Sequence, residues 1–227
     1  MAEGGPAGWS QSQRAVLVTA AWSPVGRATA ARLARCGDLV LMGTRRPELC
    51  ERLASRLRAR GATAFAGYLD LADTSSIDRF VESARYLIGG VDVLITDAGL
   101  SAVDTHVFGA QHLAAQVIPP MVRRGHGDVV LLSPELVAGA TPPSMAVSAT
   151  GRRALDSWVS GLDAEFVGSG VRASIVRSAR PGSGVAPGDV ACIIATMLAP
   201  GEPSYLRLVE VIAHRVASAP VKERKIR

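Results

Sequence analysis

Along this chain, short apolar runs alternate with segments of helical periodicity from one end to the other. Ala15-Val-Leu-Val-Thr19 is a β-branched run and reads as a strand buried on both faces. From Val25 to Cys36, Ala and Leu recur at helical spacing. Asp38 to Gly43 is a second strand. Pro47 to Arg60 is a helix with Leu49, Leu53 and Leu57 on one face, closed by Gly61. Ala64 to Leu69 is a third strand that ends on Asp70, and Asp73-Thr-Ser-Ser-Ile77 offers several N-caps to a helix running through Phe80, Val81 and Leu87. Val91 to Thr96 is a fourth strand, followed by a helix over 104–124, a strand from Asp128 to Ser133 and a helix over 144–167. A strand from Val171 to Val176, a helix from Pro187 to Leu198 and a last strand from Tyr205 to Ile212 complete the pattern. This regular alternation predicts a single α/β domain with a doubly wound parallel sheet and helices on both faces.

A chain of 227 residues, 48% apolar, holds one sizeable core. Residues 1–13, with Gly4, Gly5, Pro6 and Gly8, read as a disordered tail, residues 14–217 as the domain, and residues 218–227 as a basic tail. No run of about 18 apolar residues occurs, so no membrane association is expected. Cys36, Cys50 and Cys192 share no metal-ligand spacing and read as free thiols of a cytoplasmic protein. The formal net charge is +5. Arg52, Arg56, Arg58 and Arg60 have no aromatic residues between them, so they read as a solvated helix face and not as a nucleic-acid stripe. Asparagine is absent from the sequence, and its only lysines are Lys222 and Lys225.

The chemistry concentrates in the first strand–turn–helix unit. Such a unit can hold a dinucleotide pyrophosphate on backbone N–H groups at the helix N-terminus, helped by a glycine-rich turn. This turn, Thr19-Ala-Ala-Trp-Ser-Pro-Val-Gly26, retains only Gly26. Pro24 in this turn lacks a backbone donor.

From Arg14 to Val216 the chain resembles the short-chain dehydrogenase/reductase family, which writes Thr-Gly-x-x-x-Gly-Ile-Gly at the same turn. Asp70-Leu matches its adenine-binding acid, and Thr96-Asp-Ala-Gly99 stands at its Asn-Asn-Ala-Gly. Gly127-Asp-Val-Val-Leu-Leu-Ser133 resembles the strand that delivers its serine. Leu162-Asp-Ala-Glu165 with Val171-Arg-Ala-Ser-Ile-Val176 is similar to its later helix-to-strand passage, and Pro187-Gly-Asp-Val-Ala191 to its late helix start. The resemblance implies a Rossmann-like fold. It implies a cofactor site at Thr19, Ser23, Val25, Gly26, Asp70, Ala98 and Gly99, with Arg45 and Arg46 favouring a 2′-phosphorylated cofactor.

The family's catalytic set does not carry over. Its proton-donating tyrosine falls on Val147 and its lysine on Gly151. The three tyrosines, Tyr68, Tyr86 and Tyr205, are followed four residues later by Ala72, Gly90 and Val209, so no Tyr-x-x-x-Lys exists. The asparagine position falls on His106 and the serine position on Pro134, with Ser133 one residue early. The loop before the fourth helix is short, and Pro187 follows Pro181-Gly182 too closely for a substrate-covering lid.

These losses predict a degenerate family member, binding NADP(H) weakly or not at all. It would serve as a partner subunit, homo- or hetero-oligomeric, or as a small-molecule scaffold. Helices 104–124 (Ala110, Ala114, Val117) and 144–167 (Ala154, Leu155, Trp158, Leu162) would carry the contact. The alternative is an enzyme: an NADP(H)-dependent oxidoreductase with an atypical proton relay, or a cofactor-free acid/base catalyst. In the latter, His106, Ser133 and Glu135, with Asp97, converge at the C-terminal strand ends. The plain reading of His106 and Glu135 is a helix-surface residue and a loop carboxylate.

Overall fold

The computed structural model describes residues 13–19, 21, 23–97, 103–134, 142–178, 184–199 and 205–212. The elements, in chain order, are β1 (Ala15–Val18), α1 (Pro24–Arg35), β2 (Leu39–Thr44), α2 (Pro47–Arg58), β3 (Ala64–Tyr68), α3 (Thr74–Ile88), β4 (Val93–Asp97), α4 (Val103–Arg124), β5 (Gly127–Pro134), α5 (Pro142–Glu165), β6 (Val171–Ser178), α6 (Pro187–Met197) and β7 (Leu208–Val211). The seven strands form one parallel sheet in the order β3-β2-β1-β4-β5-β6-β7. Order reverses between β1 and β4, which places the switch point at the end of β1. This is a single-domain Rossmann-like α/β fold, as the alternation predicts. Among the described residues no helix is long and apolar enough to cross a membrane.

β1 and β2 are buried along their whole length, so they read as continuous apolar runs. Successive side chains feed two cores. Leu17, Leu41, Leu94, Leu131 and Ile175 meet α3, α4 and α5 on one face. Val18, Met42, Ile95 and Val130 meet α1, α2 and α6 on the other. Phe80 of α3 is the largest fully buried side chain, and its ring lies against Gly43 of β2 and Gly67 of β3. A Cβ at either glycine would come within 2.9 Å of that ring, which explains glycine inside two strands.

The caps follow the sequence signals. Asp73 caps α3 by accepting the Ser75 amide at 2.9 Å, and Gly89 ends the helix in the left-handed region at φ 79°. The N-terminal edge of the sheet is held by charge. Arg14 donates to both Asp38 oxygens at 3.0 and 2.8 Å, and Arg172 to both Asp128 oxygens at 2.7 and 3.0 Å. Asp92 accepts the Ala15 amide at 2.9 Å and an Arg124 N–H at 3.0 Å.

Three expectations change. On α2 the buried row is Cys50, Ala54 and Leu57, and Leu49 is 48% exposed, because the face against β2 and β3 is rotated by about one residue (~100°) from the leucine row. On α4, Ala110, Ala114 and Val117 are buried within the chain, so they face its own sheet and not a partner. The last strand is only Leu208–Val211 and alternates exposed and half-buried, as an edge strand does.

Gly109 brings α4 against the β3–α3 connection. A Cβ there would overlap the Leu71 backbone carbonyl, which cannot rotate away. Gly109→Ala should therefore lower unfolding free energy by about 1–3 kcal/mol, despite alanine's higher helix propensity. Urea denaturation checks this; a more stable variant would show that α4 does not approach Leu71 so closely.

Candidate functional site

The C-terminal edge of the sheet begins at Thr19. Its amide donates to the Ile95 carbonyl at 2.9 Å, and its hydroxyl to Thr96 Oγ1 at 2.8 Å, with both threonines buried. The pair ties β1 to β4 at the switch point. Ser23 is the N-cap of α1 and accepts the Gly26 amide on Oγ at 2.9 Å, while its carbonyl accepts the Arg27 amide at 3.0 Å. Pro24 is the first helical residue, where a missing N–H costs the helix nothing. It does remove a donor for an anion. Among the described residues, the Val25 amide is the first-turn donor left uncommitted. Cys50 of α2 is fully buried and donates its thiol to the Ala21 carbonyl at 3.3 Å, fixing the turn from beneath. Burial pushes that thiol up from its ordinary range, against the opposing pull of the Arg27 charge.

Further along the edge, Arg45 and Arg46 follow β2 and are exposed, with the Arg46 amide bonded to Thr44 Oγ1 at 3.2 Å. Asp70 folds back on its own loop. Its carboxylate accepts the Ala72 amide at 2.9 Å, and its amide donates to Ser76 Oγ at 3.0 Å. The sequence-predicted cofactor residues Thr19, Ser23, Val25, Gly26, Arg45, Arg46 and Asp70 thus share one edge of the sheet. Ala98 and Gly99 lie outside the described residues, as do Ala20 and Trp22.

On the catalytic side, His106 lies on α4 and Asp97 ends β4, but their side chains and all of Glu135 lie outside the described residues. The proposed His106–Glu135 pair is therefore not placed. Ser133 is described: it is 3% exposed, and its Oγ has no hydrogen-bond partner among the described residues. Positions 147 and 151 both fall on α5, as valine and glycine. Tyr68 and Tyr86 are exposed at the end of β3 and on α3, and the Tyr205 hydroxyl donates to Asp163. Among the described residues no phenol stands on α5 and no lysine stands anywhere.

Residues 14–183 match the family described as short chain dehydrogenase. The chain belongs to that family. It is 31% identical over 186 residues to an uncharacterized oxidoreductase of Mycobacterium bovis, covering 73% of this chain and 54% of that protein. It is 29% identical over 182 residues to a glycine betaine reductase of Emericella nidulans, covering 73% of this chain and 14% of that protein. The chain thus spans about half, or much less, of the length of these relatives. Among solved structures it is similar to an alcohol dehydrogenase from Thermococcus sibiricus complexed with 5-hydroxy-NADP. The TM-score is 0.77 at 19% identity, over 88% of this chain and 96% of that one. It is also similar to an actinorhodin polyketide ketoreductase with NADPH, with TM-score 0.79 at 20% identity over 89% and 97%.

Short-chain dehydrogenase chemistry places a reduced or oxidised nicotinamide cofactor at this edge. Among the described residues the Val25 amide is the uncommitted donor of the first turn of α1, and positions 147 and 151 are valine and glycine. The structure also brings forward Arg177, which the sequence reading passed over. It is 6% exposed, donates to Glu210 Oε1 at 2.8 Å and to Asp156 of α5, and leaves Nε without a partner among the described residues. Arg177 stands opposite Ser133 in the β5–β6 register, and strand alternation puts both on the Leu131 and Ile175 face. An arginine inside the apolar run of β6 was the available signal.

Asp156 and Glu210 are both about half exposed, so solvent screens the pairs. Asp156→Ala should still cost about 2 kcal/mol, because it strands a buried guanidinium. Arg177→Met should be nearly neutral, since it removes the charge together with the need to satisfy it. Denaturant unfolding of both variants checks the order; equal costs would show that Arg177 is solvated.

Proposed function

We propose that this chain is a short-chain dehydrogenase family member without the usual redox catalysis, acting as a partner subunit or small-molecule-binding scaffold. The observation that carries this reading is the absence of any Tyr-x-x-x-Lys, together with valine and glycine at the corresponding positions of α5. Carbonyl reduction needs a proton delivered to the developing alkoxide as hydride arrives. A phenol does this near neutral pH only when an adjacent cation lowers its pKa. Neither group is supplied here. The committed first-turn amides further support weak NADP(H) binding or none.

An NADP(H)-dependent oxidoreductase using other proton donors is the competing reading. It draws on the similar structures that hold 5-hydroxy-NADP and NADPH. Calorimetric titration with NADPH, followed by NADPH oxidation with a panel of ketones and aldehydes, separates the two. We expect affinity weaker than about 10 µM and no turnover. Tighter binding with turnover would establish the oxidoreductase. The double variant Val147→Tyr with Gly151→Lys should not by itself restore reduction, because the turn's donors remain committed.

The partner-subunit role is assigned to the outer faces of α4 and α5. With Ala110, Ala114 and Val117 turned inward, the outward row of α4 is Phe108, Ala115 and Pro119; Phe108 is 68% exposed. On α5 the outward row is Ala154, Ser157 and Gly161, and no described residue lies within 4 Å of where a Gly161 Cβ would stand. Small residues on one helix and an exposed aromatic on its neighbour suit close pairing of two helix hairpins about a two-fold axis. We expect a dimer at micromolar concentration by light scattering, alone or with an active relative, and dissociation by Ser157→Arg. A wild-type monomer under both conditions would remove the subunit reading.

A further inference from the structure

We propose that the seam between α1 and α2 is a docking surface for an acidic amphipathic helix of a partner protein. Residues 24–60 contain nine arginines and three acidic residues, so this segment alone exceeds the chain's formal net charge of +5. Six of these arginines lie on α1 and α2, two neighbouring helices that cover one end of the sheet, and Arg45, Arg46 and Arg60 flank α2. Between them lies a groove of about 480 Å³ lined by Arg27, Ala28, Leu49, Arg52, Leu53 and Arg56. A second depression of about 200 Å³, bordered by Arg35 and Arg60, lies at the C-terminal ends of both helices.

Two features argue for a protein helix. The first is the apolar floor. Leu49 is 48% exposed and Leu53 half-buried, one turn apart, in a groove otherwise rimmed by arginine. That floor takes apolar side chains, which a nucleic-acid backbone does not offer, and residues 24–60 contain no aromatic residue on which a base could stack. The second is spacing. Arg52 and Arg56 are i and i+4 on α2, about 6 Å apart, and match carboxylates one turn apart on a facing helix. Arg58, one turn beyond Ala54, already pairs with Glu51. Arg52 and Arg56 have no carboxylate partner among the described residues, although Arg56 Nε donates to the Arg52 carbonyl at 3.1 Å. Each flanking helix has 12 residues and is about 18 Å long, so the seam accepts a helix of about three turns. This surface is separate from the α4–α5 face and holds whether or not the chain turns over a cofactor.

The test uses the whole chain and a fluorescein-labelled peptide of about twelve residues. The peptide carries leucines on one helical face, flanked by glutamates. Fluorescence anisotropy should show micromolar binding, weakened about tenfold or more by the double variant Arg52→Glu with Arg56→Glu, and separately by Leu53→Ser. The charge-matched control, Arg85→Glu with Arg123→Glu on α3 and α4, should bind like wild type. Circular dichroism of each variant confirms that the fold is kept. Equal binding of a scrambled peptide of the same composition, equal weakening by the control variant, tighter binding of single-stranded DNA, or displacement of the peptide by NADPH would each overturn the proposal.

Discussion

The structure depends on one constraint: a parallel sheet must be covered by apolar surface on both faces. Every described helix serves that cover, three to a side. Packing fixes the strands' side chains in alternation, and local sequence bends to it, as in the glycines that make room for Phe80. At the N-terminal edge the strand starts are locked by the Arg14–Asp38 and Arg172–Asp128 pairs and by Asp92. Ligand chemistry is left to the opposite edge, where the strands end and the loops begin.

At that edge the polar groups have turned toward the protein. Thr19 bonds Thr96, Ser23 caps its own helix, Cys50 holds the turn, and the Asp70 carboxylate closes its own loop. Each contact is a good local solution for stability. Together they tie the strand ends and the turn to the protein's own groups.

Charge is distributed with comparable asymmetry. The covering helices α1 and α2 carry an arginine excess that the packing of the sheet does not use, since their buried rows are Ala30, Leu33 and Ala34 on one and Cys50, Ala54 and Leu57 on the other. The outer rows of α4 and α5 instead present Phe108 and small residues. Two chemically different surfaces thus flank one scaffold, and neither requires a working redox centre.

Strand and helix order, the parallel sheet and the family were legible in the sequence, because periodicity reports which positions face a core and motif order survives the loss of single residues. That the chain holds no Tyr-x-x-x-Lys was legible too, because residue identity needs no coordinates. Rotation of each helix about its axis was not. Leu49 reads like Leu57 until the sheet selects the Cys50–Ala54–Leu57 row, and Ala110, Ala114 and Val117 suit a partner as well as their own sheet until packing chooses. Hydrogen-bond commitment was equally hidden. Whether Thr19 serves a ligand or Thr96, and whether Arg177 is solvated or buried between Asp156 and Glu210, depends on neighbours 77, 21 and 33 residues away in sequence. Pattern along a chain fixes what a residue can do, whereas only the meeting of distant segments decides which partner takes it.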